Sequence, residues 1–278
     1  MLIVKLGGSA GIDPALTLDD LAALSVEQPV VFVHGANAVL DEWMRRFGKE
    51  PRLVHSSSGQ VSRYTDAETM DLMLAVYAGL VNKRLVEALQ ARGVNAVGLT
   101  ALDGRIARGL RKETIRAIEN GKPKVLRGDY AGSINEIDPT LLRLLLEHGY
   151  LPVVTPPALS YHGEAINVDG DKLALQLALA LQANALVILS NTPGLLANLQ
   201  DPSSLIREIV VDDPESVARA MEAAQGRMKK KVEAGCRAVA AGIPQVVFAD
   251  ARVEHPIRRA LAGEGTRLVA RSTIGVNV

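Results

Sequence analysis

The sequence predicts an α/β protein, a three-layer α/β/α sandwich with a mostly parallel central sheet arranged as two lobes. Short aliphatic and β-branched runs alternate with longer stretches of helical periodicity along the chain. The short runs are mostly apolar rather than alternating, the pattern of strands covered by helices on both faces. Hydrophobic residues make up 48% of the 278 residues and charged ones 22%, a balance that supplies a core and argues against disorder.

In chain order, the first strand is Leu2–Leu6, ending in Gly7 and Gly8. Val30–His34 is the second strand, and a helix over Ala36–Phe47 follows it. Thr65 or Asp66 caps a long helix over Asp66–Leu89. A strand over Val94–Leu99 precedes a region of different character. From Arg105 to Arg127 there are eight basic and two acidic residues, with glycines punctuating the segment. Irregular strands and turns are expected there, with a short helix near Lys112–Asn120. Beyond it come a helix over Leu141–His148 and a strand over Leu151–Thr155. The Pro156-Pro157 pair then marks a break before a surface hairpin reaching Asn167. The remaining elements are helices over Gly170–Leu181, Pro214–Ala224 and Arg227–Ala241, and strands over Ala185–Ser190 and Gln245–Ala249. The break near Asn167 divides the chain into a lobe of residues 1–167 and a lobe of residues 168–278.

Composition excludes several classes. Basic and acidic residues number 31 each, so bulk charge predicts neither nucleic-acid nor membrane binding. Cys236 is the only cysteine, which excludes an intrachain disulfide framework and a Cys-rich zinc site and fits a reducing, cytoplasmic setting. The apolar start at Met1 is too short for a secretion signal. Gln176, Gln182 and Asn184 interrupt the longest apolar region, which reads as a buried helix and strand rather than a membrane span.

Six constellations carry candidate chemistry. Lys5 followed by Gly7 and Gly8 is either an ordinary strand-ending turn or a place where backbone N–H groups approach an anion beside a lysine. It matches neither a Walker loop nor a dinucleotide fingerprint. His34-Gly35-Ala36-Asn37 repeats the device before a helix; two such turns side by side would clamp a phosphoryl group, while His34 itself reads as a core histidine. Asn167-Val168-Asp169-Gly170-Asp171 opens an apolar helix. Capping explains one of the two carboxylates, and the other is available to orient lysines or to approach a metal–nucleotide complex. Gly226-Arg227-Met228-Lys229-Lys230-Lys231 places cations at a helix start, against the macrodipole. That suits either a bound polyanion or a solvated face, with at most one or two of the lysines turned to a site. Ser190-Asn191-Thr192-Pro193-Gly194 follows a strand where α/β sheets place ligands, and a tight turn explains it equally well. Arg63, just before the cap, suits a bidentate grip on a carboxylate or a surface ion pair.

Taken in order, Lys-x-Gly-Gly, His-Gly, Asn-x-x-x-Asp, Ser-x-x-x-Gly and Gly-x-Met-x-x-Lys resemble the amino acid kinase family, from Lys5 to at least Asp250. The similar branch is the N-acetylglutamate kinase group. Within it, Gly59–Arg63, Gly79–Arg84, Arg127–Tyr130, Pro156–Tyr161 and Ala249–Val253 resemble the kinases acting on aminoadipate or glutamate attached to the small carrier protein LysW. Where a second glycine would follow Gly35, this chain has Ala36.

The resemblance implies transfer of the γ-phosphoryl of ATP to a side-chain carboxylate, giving an acyl phosphate. It implies Lys5 and Lys231 as the catalytic cations, with Asp171 orienting both. Gly8, Gly35 and Ala36 would meet the transferring group, and Arg63 and Asn167 the acceptor. Ser190, Asn191, Gly194, Met228 and Lys229 would meet the nucleotide, with Mg²⁺ bridging its phosphates. The first lobe would hold the acceptor and the second ATP. Arg105, Arg108, Arg111, Lys124 and Arg127 would dock an acidic LysW, and the chain would form a homodimer. Free N-acetylglutamate is the alternative acceptor, and a non-catalytic nucleotide or amino-acid sensor the alternative of another class.

Overall fold

A computed structural model describes residues 1–55, 61–119 and 122–271. Gly59 and Gln60, and Asn120 and Gly121, lie outside the described residues. The elements are β1 (Leu2–Leu6), α1 (Pro14–Glu27), β2 (Val30–His34), α2 (Asn37–Arg46), β3 (Leu53–His55), β4 (Val61–Arg63), α3 (Ala67–Met73), a π-helical segment (Leu74–Val81), α4 (Asn82–Gln90), β5 (Ala96–Thr100), β6 (Ala107–Arg111), β7 (Thr114–Glu119), β8 (Lys122–Arg127), β9 (Gly132–Ile137) and α5 (Thr140–Glu147). The chain continues with β10 (Leu151–Thr155), β11 (Ala158–Ser160), β12 (Ala165–Ile166), α6 (Gly170–Ala180), β13 (Ala185–Ser190), β14 (Glu208–Val210), α7 (Pro214–Ala223), α8 (Gly226–Ala240), β15 (Gln245–Asp250), α9 (Pro256–Leu261) and β16 (Thr266–Val269).

An eight-stranded sheet in the order β14-β16-β15-β13-β1-β2-β10-β5 forms the middle layer. Its strand pairs are parallel except β15 with β16. Strand alternation sorts β1 between two cores. Ile3 packs in the cluster that contains Leu173 and Leu177 of α6 and Val232 of α8. Leu2, Val4 and Leu6 pack with Leu18 and Leu21 of α1 and Leu85 of α4. Lys5, two residues after Ile3, therefore leaves the sheet on the α6 side.

The strands before residue 167 that join this sheet (β1, β2, β5, β10) form one half, and β13 to β16 form the other. They adjoin where β1 pairs with β13 in register from Leu2↔Ala185 to Leu6↔Leu189. The carboxyl end of β1, between β2 and β13, is where open α/β sheets bind ligands. Around the edge of the first half lie a four-stranded sheet (β12-β11-β6-β9) and the hairpins β3–β4 and β7–β8. The hairpins share a small core of Val54, Tyr64, Ile115 and Leu126.

The expected hairpin between Pro157 and Asn167 is present as β11–β12. The short helix expected near Lys112–Asn120 is not: residues 114–119 are strand β7, paired antiparallel with β8. Thr114, Ile115 and Ile118 are β-branched, and the cover that Val54 and Leu126 give Ile115 settles the choice. The helix expected over Asp66–Leu89 is continuous, but Leu74–Val81 winds as a π-helix between α3 and α4. The expected elements omitted α1, although Asp13 caps it and Pro14 opens it, the usual pairing at a helix start. They also omitted β14, α9 and β16.

Candidate active site

Three charged side chains converge beyond the carboxyl end of β1. Asp169 is the N-cap of α6 and accepts from the backbone N–H groups of Asp171 and Lys172 at 2.9 and 3.0 Å. Capping is thus done by Asp169 alone, and Asp171, in the first turn, is free for ionic work. Its Oδ1 lies 2.5 Å from Lys5 Nζ, and its Oδ2 lies 3.7 Å from Lys231 Nζ on α8. Burial acts to raise the Asp171 pKa, but the charges of Lys5 and Lys231 outweigh it and hold the carboxyl below its usual range. Burial depresses the Lys231 ammonium despite the neighbouring Asp171. The cluster carries one net positive charge in a largely desolvated place, which suits an anion arriving between the lysines. Of the lysines at 229–231, only Lys231 ion-pairs with Asp171 among the described residues; Lys229 is exposed, and Met228 packs against the core.

The two glycine turns lie against each other. A Cβ on Gly8 would stand 2.4 Å from Ala36 N, 2.5 Å from Gly35 C and 2.7 Å from Asn37 N, all backbone. Gly8 is therefore required for close approach of the turns. The N-terminus of α2 has no side-chain cap, and its Ala38 N–H donates to the Gly8 carbonyl at 2.8 Å, tying the helix start to the first turn. His34 is a core residue: it is fully buried beside Asn82 Nδ2 at 3.1 Å, and burial lowers its pKa to about 4.

Arg63 and Asn167 lie nearby, each held by internal partners. The Arg63 guanidinium pairs with Asp41 of α2 and contacts Met44 Sδ at 3.4 Å. Asn167 donates from Nδ2 to Thr65 Oγ1 at 2.9 Å, and its backbone bridges Tyr130 and Gly132. Asp129, fully buried, accepts from the N–H groups of Thr65 and Ala131 and ties this layer together. On the other side of β1, Ser190 Oγ lies 3.1 Å from Thr192 Oγ1, Asn191 is exposed, and Gly194 has a φ of 145° against Thr266.

The five basic residues expected at a docking surface do not form one uniform patch. Arg105, Lys124 and Arg127 are exposed, the first before β6 and the others on β8. Arg108 pairs with Glu136 at 2.7 Å and lies over Tyr161. Arg111 is committed inward, donating to Glu164 and to the Asp129 carbonyl while stacking 3.5 Å from the Tyr130 ring centroid. Asn37, Asp41, Tyr77 and Asp129 were given no role from the sequence. Tyr77 sits in an apolar run and reads as core, and its hydroxyl partner lies 40 residues away.

A lysine on a central strand paired to a carboxylate at a helix start, a second lysine from another helix, and two abutting glycine turns thus meet at the carboxyl end of β1. The amino acid kinase family profile matches residues 1–249, and the chain belongs to that family. It is 53% identical over 270 residues to a [LysW]-aminoadipate kinase of Thermus thermophilus, covering 96% of this chain and 99% of that one. It is 52% identical over 267 residues to a [LysW]-aminoadipate kinase of Deinococcus radiodurans, covering 96% of this chain and 90% of that one. Among solved structures, the fold matches N-acetylglutamate synthase from Neisseria gonorrhoeae with a TM-score of 0.76 at 23% identity, covering 97% of this chain and 59% of that one. It also matches isopentenyl phosphate kinase with a TM-score of 0.64 at 19% identity, covering 97% of this chain and all of that one.

Proposed function

We propose that this protein is an ATP-dependent kinase that phosphorylates the side-chain carboxylate of aminoadipate attached to a LysW carrier protein. The similarity to two [LysW]-aminoadipate kinases over nearly the whole of both chains carries this reading. The Lys5–Asp171–Lys231 cluster supports the chemistry.

The acceptor carboxylate is ionised at neutral pH, with a reference pKa of about 4.3, so the reaction needs no general base. The obstacle is repulsion between that anion and the anionic γ-phosphoryl. Catalysis is therefore positioning and charge neutralisation. A carboxylate oxygen attacks the γ-phosphorus, the bond to the β–γ bridging oxygen breaks, and ADP leaves with the electron pair. Lys5 and Lys231 flank the group in flight, and Asp171 fixes both ammonium groups without taking a proton. Gly8, Gly35 and Ala36 line the path with backbone. Arg63 and Asn167 hold the acceptor. Ser190, Asn191, Gly194, Met228 and Lys229 line the nucleotide side. No group of three or more His, Cys, Asp or Glu among the described residues is arranged for a metal ion, so Mg²⁺ would be held chiefly by the nucleotide's phosphates, whose charge it neutralises. Exposed Arg105, Lys124 and Arg127, with Arg108, meet the carrier, and Arg111 supports the acceptor layer from within.

The test is acyl-phosphate formation trapped as hydroxamate, with ATP, Mg²⁺ and, in parallel, LysW-linked aminoadipate, LysW-linked glutamate and free N-acetylglutamate. Turnover of carrier-linked aminoadipate above the others is expected. Efficient turnover of free N-acetylglutamate without a carrier would refute the assignment.

A further inference from the structure

The sequence places an asparagine beside the two glycine turns, and the phosphoryl-transfer chemistry above leaves it unused. Asn37 is the first residue of α2, exposed to the cleft, and its backbone nitrogen is among the atoms a Gly8 Cβ would strike. Its side chain is nevertheless fixed. Tyr77, buried in the π-helical segment, donates its hydroxyl to Asn37 Oδ1 at 2.9 Å. Burial raises the Tyr77 pKa to about 12, outweighing the Ala36 N–H bond and the Arg63 charge, so the phenol keeps its proton. A phenol that keeps its proton, and already accepts from the Ala36 N–H, donates to the Asn37 carbonyl oxygen. The amide orientation follows: with Oδ1 occupied, the NH₂ end is the part of Asn37 left to face a ligand. A π-helical turn is a common device for setting one side chain out of the α-helical register at a functional site.

We infer that Asn37 is a further anion-binding residue of the phosphoryl-transfer cleft, donating from Nδ2 to the transferring phosphoryl group, and that Tyr77 is the positioning residue that fixes its amide. This rests on the kinase reading above. The amide donor adds a directional contact at the α2 N-terminus, beside the backbone N–H of Asn37 itself.

The discriminating variant is Asn37→Asp. It keeps an acceptor for the Tyr77 hydroxyl and adds a negative charge in the first turn of α2, which favours the helix. A purely structural Asn37 would therefore tolerate it with unchanged or higher melting temperature and normal turnover. An anion-binding Asn37 would not, because a carboxylate would face the phosphoryl group. The expected result is an unchanged or raised melting temperature and a fall in kcat with carrier-linked aminoadipate of at least a hundredfold. Asn37→Ala should lose about ten- to a hundredfold, the usual range for one hydrogen bond to a charged group. Tyr77→Phe should lower kcat less, with KM for ATP little changed.

A second readout is independent of the acceptor. MgADP with aluminium tetrafluoride mimics the phosphoryl group in flight, and the increment in melting temperature over MgADP alone should be lost in Asn37→Asp. Increments equal in wild type and variant, zero included, would overturn the inference, as would wild-type kcat in Asn37→Asp. A wild-type protein that shows the increment but does not phosphorylate the carrier-linked acceptor would instead refute the functional reading.

Discussion

Replacing Gly8 by alanine tests the abutting turns directly. The nearest atom to the new methyl would be Ala36 N at 2.4 Å, with Gly35 C and Asn37 N within 2.7 Å. All three are backbone, so no rotamer change relieves the clash. Restoring an ordinary contact of 3.4 Å requires the two turns to part by about 1 Å. A misplacement of that size in a catalytic constellation costs on the order of 10²-fold in rate. Overpacking costs about 1–3 kcal/mol of stability, or roughly 2–12 °C in melting temperature for a chain of this size. Gly35→Ala is the matched control: its methyl would meet Gly8 N at 3.1 Å, so the neighbour shifts by only a few tenths of an ångström. The assay is hydroxamate formation at saturating ATP and acceptor, with thermal unfolding of each variant. Gly8→Ala should lose about a hundredfold in kcat, and Gly35→Ala much less. A Gly8→Ala rate within threefold of wild type, or equal effects of the two substitutions, would refute the reasoning.

Other predictions concern charge. Asp171→Asn leaves Lys5 and Lys231 unpaired and facing each other; kcat should fall by at least a hundredfold in the hydroxamate assay, with nucleotide binding by calorimetry retained. Lys124→Glu with Arg127→Glu should raise KM for the carrier-linked acceptor severalfold, more at low salt, and leave KM for ATP unchanged. Arg111→Ala should instead lower the melting temperature and kcat together, because it unties Glu164, Tyr130 and the Asp129 carbonyl. His34 has a folded-state pKa of about 4, below its unfolded value of 6.5. The unfolded state binds the proton first, so stability falls as pH drops through 6.5 and the loss levels off near 4, reaching about 3 kcal/mol. Urea unfolding from pH 7.5 to 4 should show a slope that His34→Asn reduces.

The framework of the fold was legible because buried parallel strands are written as short, mostly apolar runs: β1, β2, β10 and β13 begin and end where the residues indicate. The hairpin region was not, because Thr114–Glu119 is decided by Val54 and Leu126, which are distant in sequence. At the candidate site, the family resemblance pointed to Lys5, Asp171 and Lys231, while spacing alone could neither choose among Lys229, Lys230 and Lys231 nor divide labour between Asp169 and Asp171. That division needed the cap geometry of α6. A run of basic residues likewise cannot reveal which arginine turns inward, and Arg111 does so because Glu164 and Tyr130 arrive from other strands. Tyr77 shows the same limit, since one hydroxyl within an apolar helix declares its partner only in three dimensions.

The register between β1 and β13 has a mechanical consequence. Every residue of β1 is paired on both sides, from Leu2 through Leu6, with β2 and with β13. The two halves of the sheet are thus two ends of one stiff plank, joined strand to strand rather than by a linker that could act as a hinge. Any closing of the halves on their substrates must be stored as sheet twist, which Lys5, rooted in β1 at the join, would feel as torsion. The β3–β4 and β7–β8 hairpins are anchored outside that plank. The join is therefore built to hold Lys5 at constant geometry between the two strands that flank it.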